Sequence, residues 1–277
     1  FASILPLAIG NPVHQWAHME LASVFGITTQ LNAQSAQGIW ESANRQLAEK
    51  ITVRTILSTF NVELVATTDD PFDDLAVHQA LAHSDAGPAL AVLPTFRPDR
   101  HLLTDSPDLT ALKCRHDYFH EHGCRMSDHG LTHLPAPGTP AFDALAEIAR
   151  WNHKKGWIMQ LHLGAQRNVN SRMSSSLGPD SGFDTIGSRP QTEALITFLN
   201  TLDASGQLPK VILYNLNPNE NAALCCALQN FQEAPVPGKL QYGPAWWHLD
   251  HVQGIREQLE TLSSQSALGT HIGMLTD

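Results

Sequence analysis

Residues 157–168 read WIMQLHLGAQRN: an apolar run that closes on His162 and Leu163, then breaks at Gly164 and resumes with Arg167. A short run of this kind, ending on a polar side chain before a glycine, is what a strand buried on both faces of a parallel sheet looks like. Six further runs share the pattern: Val62 to Thr67, Ala89 to Phe96, Cys124 to Ser127, Val211 to Asn215, Lys239 to Trp246 and His271 to Thr276. Taking positions 67, 97, 128, 162, 215, 246 and 277 as the polar or aromatic ends, the intervals are 30, 31, 34, 53, 31 and 31 residues. A strand plus its crossover helix takes about 30 residues, so the chain reads as successive βα units.

The segments between the runs carry helix punctuation. Asp70-Pro71, Thr139-Pro140, Ser188-Arg189-Pro190 and Asn217-Pro218 put a capping side chain at or near a proline suited to a first helical turn. Gly123, Gly156 and Gly206 stand where left-handed helix ends are expected. Leu195, Ile196, Leu199 and Leu202, and again Val252, Ile255, Leu259 and Leu262, have helical apolar spacing and are expected to pack on the sheet.

Seven parallel strands make either an open doubly wound sheet or an eight-stranded barrel lacking one unit. The chain opens at Phe1 without an initiator Met and stops at Asp277 directly after an apolar run, which favours the barrel. The expected fold class is therefore α/β, a (β/α)8 TIM-like barrel whose first strand unit and last helix are missing. On this reading, 1–277 is a single barrel domain with strands 2–8 recognisable, a helical and loop region at 1–50, and an active-site loop at 163–190 that accounts for the long interval.

Composition narrows the chemistry. Seventeen basic residues against 27 acidic give a net charge of −10, and the longest basic cluster is Lys154-Lys155, so nucleic acid and anionic membranes are not expected partners. No apolar run reaches the ~18 residues a membrane-spanning helix needs. Four cysteines without a CxxC pair suggest a reduced, cytoplasmic setting.

In a barrel, side chains at the C-terminal strand ends share one mouth. His162 and Asp277 supply an imidazole and a carboxylate there, ligand types for a divalent Zn or Mn ion, and the carboxylate also suits a base. Arg97 and Arg167 suit a substrate carboxylate, or else pair with Asp99 or Asp128. Trp246 and Trp247 either stack on a sugar-like substrate or fill the core. Asp69-Asp70-Pro71 is explained by helix capping at Asp70. His120-Glu121-His122 ends a helix, where side chains two apart diverge, so it is not read as a metal site. His14 with His18, and His248 with His251, are read as surface or cap residues.

Together these stretches resemble the uronate isomerases, also called glucuronate isomerases, of the amidohydrolase superfamily. The similarity is carried by IGNPVHQWAHMEL (9–21), VATTDDP (65–71), LPTFRPD (93–99), HGCRMSDHG (122–130), QLHLGAQRN (160–168), LGPDSGFD (177–184), ILYNLNP (212–218), GKLQYGPAWWHLD (238–250) and GMLTD (273–277). The resemblance implies a distorted (β/α)8 barrel that interconverts D-glucuronate with D-fructuronate and D-galacturonate with D-tagaturonate. Such an enzyme is an intramolecular oxidoreductase of carbohydrate metabolism. It also implies one divalent metal, commonly zinc, held by an HxH on the first strand, upstream of Phe1, and by Asp277, with His162 beside it. Asp277 would carry the proton between C2 and C1 through a cis-enediol, and Arg97, Asp128, His162, Arg167, Trp246 and Trp247 would line the substrate site. Phe96 stands where the family often has Trp, Asn215 where Cys occurs and Gln15 where His is common. The partner implied is a small uronate, and a homo-oligomer is compatible with the reading. The alternatives are a metal-dependent hydrolase on the same barrel, which would want a second-metal His where Asn215 stands, and a non-catalytic sugar-acid binding protein.

Overall fold

The computed structural model describes residues 1–82 and 90–273. They fall into two compact units, residues 1–65 with residue 90, and residues 66–82 with 91–273.

The first unit is helical: α1 (Pro12–Phe25), α2 (Ala36–Glu49) and α3 (Val53–Thr59). The starts of α1 and α3 have a local cause. Asn11 accepts a hydrogen bond from Val13 N ahead of Pro12, and Thr52 and Thr55 form a reciprocal capping box. His18 is fully occupied by the backbone, with Nδ1 on the His14 carbonyl and Nε2 accepting from Leu31 N at 3.0 Å. That supports the reading of His14 and His18 as structural. Strand β1 (Leu64–Ala66) leads out of this unit.

The second unit holds α4 (Ala76–Ala82), β2 (Ala91–Leu93), α5 (Asp99–Leu102), α6 (Leu109–Glu121), β3 (Met126–Leu131), α7 (Pro140–Lys155) and β4 (Ile158–Leu163). After these come β5 (Ala165–Gln166), α8 (Ser171–Leu177), β6 (Thr185–Ile186), α9 (Thr192–Asp203), β7 (Lys210–Asn215), α10 (Asn221–Gln229), β8 (Leu240–Tyr242) and α11 (Val252–Gln265). Strands β3, β4, β7 and β8 form one sheet in that order, every pairing parallel. Parallel bridges Asp69 to Phe96 and Phe96 to Ser127 carry the same direction past β3. The chain is thus an α/β protein built on parallel strands.

Strand alternation divides the sheet into two faces. Met159, Leu161 and Leu163 of β4 and Val211 and Leu213 of β7 are fully buried in one cluster with Leu145, Ile148 and Ala149 of α7, Leu195, Leu199 and Leu202 of α9, and Leu224 and Leu228 of α10. The intervening positions form the opposite face: Asp128 is in register with Gln160, Gln160 with Ile212, and His162 with Tyr214. Asp128, Gln160, His162 and Tyr214 therefore share the face away from that helix layer.

Several expectations need correction. His271–Gly273 are not strand, and the rest of the run expected there lies outside the described residues. The 163–190 segment is not structureless, because β5 and β6 pair antiparallel around α8. Helix α4 begins at Ala76, whose N–H bonds Asp74, rather than at Asp70-Pro71. Helix α9 begins at Thr192 and takes its cap from Glu220, whose Oε1 accepts from Gln191 N and Thr192 N. Helix α11 buries Gly254, Gln258 and Leu262, while Val252 and Leu259 are exposed. It is turned because Gln258 reaches inward to the Gly243 carbonyl and a Cβ at residue 254 would collide with the Leu249 carbonyl. Thr139 caps α7 with Pro140 in its first turn, and Gly156 ends it at φ 70°, as the punctuation predicts.

Candidate active site

Arg97 follows the second run, Asp128 lies on β3, and His162 is the next-to-last residue of β4. Arg97 Nη1 donates to Asp128 Oδ2 at 2.9 Å, and His162 Nδ1 lies 2.7 Å from Asp128 Oδ1, close but out of line for a straight hydrogen bond. Asp128 is 5% exposed. Burial alone would raise its carboxyl, but the His162 contact and the charges of His162, Arg97 and His129 prevail and hold it below the usual carboxylate range.

The His162 ring stacks on Tyr214, centroids 4.2 Å apart and 5° from parallel, and meets Trp246 edge-on at 4.7 Å. Tyr214 Oη donates to Gln160 Oε1 at 2.6 Å, which fixes the ring that fixes His162. A side chain at Gly243 would lie 2.8 Å from the Tyr214 ring, so only glycine admits this packing. Trp246 sits 4.7 Å from Trp247, and the Arg167 guanidinium lies 4.6 Å above the Trp247 ring. Arg167 also pairs with Asp180 at 2.7 Å and lies 3.9 Å from Asp184, both on the segment between β5 and β7.

The six substrate-site residues expected from sequence thus form one unbroken series: Arg97, Asp128, His162, Trp246, Trp247, Arg167. Asp277 lies outside the described residues. Two sequence readings concerned the pairing of the arginines. Arg97 does pair with both Asp128 and, at 3.4 Å, Asp99, yet 31% of its side chain remains exposed. Arg167 pairs with neither. Asp70 accepts from Phe72 N and binds His101 Nε2 at 2.9 Å, which accounts for it as a turn residue. His120 accepts from Trp157 Nε1, and His251 caps α11 by accepting from Gly254 N, so each has a structural contact. Among the described residues no group of three or more His, Cys, Asp or Glu has the spacing to hold a metal ion. Among the described residues His162 offers one candidate ligand atom: its Nδ1 lies against the Asp128 carboxylate, and Nε2 is the remaining ring nitrogen. Asn215 is spent on structure, its amide donating to the Asn217 carbonyl at 2.6 Å and to Asn221 Oδ1 at 3.0 Å.

Sequence reasoning missed Tyr214, Gln160 and Gly243, which carry no charge and stand inside apolar runs. Their signal is period-two spacing, since 160 and 162 share a face and register with 212 and 214.

The sequence pattern of the family described as glucuronate isomerase matches residues 1–110 and 139–277. The uronate isomerase of Opitutus terrae is 41% identical over 99% of this chain and 67% of its own length. The chain belongs to the glucuronate isomerase family. The uronate isomerase of Solibacter usitatus is 39% identical, covering all of this chain and 69% of that protein. The crystal structure of the Thermotoga maritima uronate isomerase superposes with a TM-score of 0.87 at 29% identity, over all of this chain and 69% of that one. The chain therefore spans about two thirds of the length of these family members. The family match leaves out residues 111–138, which include Asp128, so the place of Asp128 in the site rests on its contacts with Arg97 and His162.

Among the described residues no helix is long and apolar enough to cross a membrane.

Proposed function

We propose that the parallel sheet forms most of a (β/α)8 barrel and that the series from Arg97 to Arg167 is the sugar-acid subsite of a uronate isomerase. The reaction interconverts D-glucuronate with D-fructuronate and D-galacturonate with D-tagaturonate. The observation that carries the reading is that series itself: two guanidiniums at its ends, a buried ionised Asp128 and two indoles between them. An acidic sugar has one carboxylate and several hydroxyls on a puckered ring or chain. A partly exposed guanidinium complements the carboxylate, an indole face covers C–H surface, and Asp128 accepts from hydroxyls.

One divalent ion, with zinc the first choice, would take His162 Nε2 and Asp277 from this chain and would supply Lewis-acid polarisation of the carbonyl. Asp128 has a double task on the protein side. It holds Arg97 at one oxygen and orients His162 with the other, so the two positions that bind substrate and metal are fixed relative to each other. Tyr214 and Trp246 enclose the His162 ring and keep bulk water from its faces. Asp277 is proposed to move the proton between C2 and C1. No nucleophilic water is required, and Asn215 offers no imidazole for the second metal of a hydrolase.

The test is Asp277→Asn in the full-length protein, assayed with D-glucuronate after zinc loading. Turnover is expected to fall by about 1,000-fold or more while the fold and substrate binding persist. Wild-type-like turnover would remove Asp277 from the mechanism.

A further inference from the structure

Behind the active face, a line of hydrogen bonds runs through the helix-facing side of the sheet. Asp99 Oδ1 lies 3.1 Å from His129 Nδ1, His129 Nε2 lies 2.9 Å from Ser127 Oγ, Asn152 Nδ2 donates to Ser127 Oγ at 2.7 Å, and His116 Nε2 meets Asn152 Oδ1 at 3.0 Å. Ser127, His129, Asn152 and His116 are each completely buried. Ser127 and His129 alternate with Asp128 on β3, so they point away from the substrate face that Asp128 occupies.

The donors and acceptors fix the direction of every bond. A carboxylate only accepts, so His129 Nδ1 donates to Asp99. The amide oxygen of Asn152 only accepts, so His116 donates from Nε2. The Asn152 amide nitrogen then donates to Ser127, which leaves the Ser127 hydroxyl proton for His129 Nε2 to accept. The line is not a proton wire. An amide does not relay protons, and the far end closes on His116, which is packed among Trp157, Phe96 and Trp151 with Nδ1 unpartnered. Burial also pushes His116 down to about 4, so it stays neutral near pH 7.

What the line does is set one tautomer of His129, with the proton on Nδ1 facing Asp99. Asp99 is the junction to the active face. Its Oδ2 accepts from Gly130 N at 2.7 Å and lies 3.4 Å from Arg97 Nε, while Arg97 Nη1 is held by Asp128. The guanidinium is thus shared between two carboxylates, and the hold of His129 on Asp99 decides how that sharing falls. We propose that His129 is a positioning residue: through Asp99 it keeps Arg97 turned toward Asp128 and the substrate carboxylate, with Ser127 and Asn152 fixing the tautomer that makes this hold. The proposal rests on the uronate reading only for the name of the substrate.

The experiment compares His129→Leu with His129→Asn in the full-length protein. The two replacements branch at the same carbon, and asparagine places an N–H where Nδ1 stood. With D-glucuronate, the leucine variant is expected to raise KM about tenfold with kcat nearly unchanged, and the asparagine variant to stay within about threefold of wild type. In parallel, the Arg97 Nε–H resonance in 15N-resolved NMR is expected to move in the leucine variant and keep its position in the asparagine variant. Ser127→Ala is the second variant, to be used if the leucine protein does not fold, with a KM rise of about threefold in the same direction. Equal KM in the leucine, asparagine and wild-type proteins, or equal losses in both His129 variants, would overturn the proposal. If the wild type does not turn over uronates, the functional reading fails alone, and an unmoved Arg97 resonance in the leucine variant would still refute the positioning role.

Discussion

Gly130→Ala is a steric probe of the Arg97–Asp128 pair that leaves both charged residues in place. Gly130 does not occupy the left-handed region, so alanine is conformationally allowed there, but its Cβ would lie 2.2 Å from Arg97 Nη2. Ordinary contact begins at 3.4 Å, so the guanidinium must retreat by about 1.2 Å. At an effective dielectric of about 20, lengthening the 2.9 Å contact to Asp128 by that amount lowers the attraction from about 5.7 to about 4.0 kcal/mol. Because 31% of the Arg97 side chain is exposed, solvent screening reduces the difference to about 1 kcal/mol. A similar loss at the substrate carboxylate predicts a KM for D-glucuronate raised about five- to tenfold. The clashing atom is the tip of a flexible side chain and not backbone, so the melting temperature should fall by no more than about 2 °C. Steady-state kinetics and a thermal melt read both quantities. A KM within about twofold of wild type would show that Arg97 does not face the substrate, and a collapse of the melting temperature would show that the pair is chiefly structural.

His116 gives a pH signature. Its folded value near 4 lies below the unfolded value near 6.5, so above pH 6.5 it has no effect, and as pH falls toward 4 the unfolded chain gains a proton that the native state refuses. Wild-type stability should therefore decline over that window by a few kcal/mol, roughly 3 at most, and His116→Gln, which keeps a donor toward Asn152, should flatten the decline. Parallel pH profiles in urea unfolding would refute the buried neutral assignment. Thiol labelling of the native protein should modify the exposed Cys114 and Cys226 and spare the buried Cys124 and Cys225, whose thiols burial pushes up to about 12 and about 11. Rapid modification of Cys124 without unfolding would contradict the packing around Phe96 and Trp157.

Much of the fold was legible because parallel strands buried on both faces leave unbroken apolar runs, and each run from Cys124 to Trp246 contains an observed strand. The site was legible where charge breaks an apolar run, as at Arg97, Asp128 and His162. It was not legible where the signal is shared between distant segments. The cap of α9 belongs to Glu220, the turn of α11 depends on Gln258 reaching Gly243, and Tyr214 matters because Gly243 leaves room for it. The His129 line could not be read either, since all of its bonds but the one from Ser127 to His129 within β3 join residues from different elements.

Isomerisation of a uronate at the Arg97 to Arg167 face leaves a distinct product. It is tested most directly by incubating the full-length, zinc-loaded protein with D-glucuronate in D2O and following the sugar by proton NMR. D-fructuronate signals are expected to grow as glucuronate signals decline, with the carbon chain intact. Glucuronate that binds but stays unchanged would contradict it, as would hydrolysis of an ester or amide substrate by the same preparation in place of isomerisation.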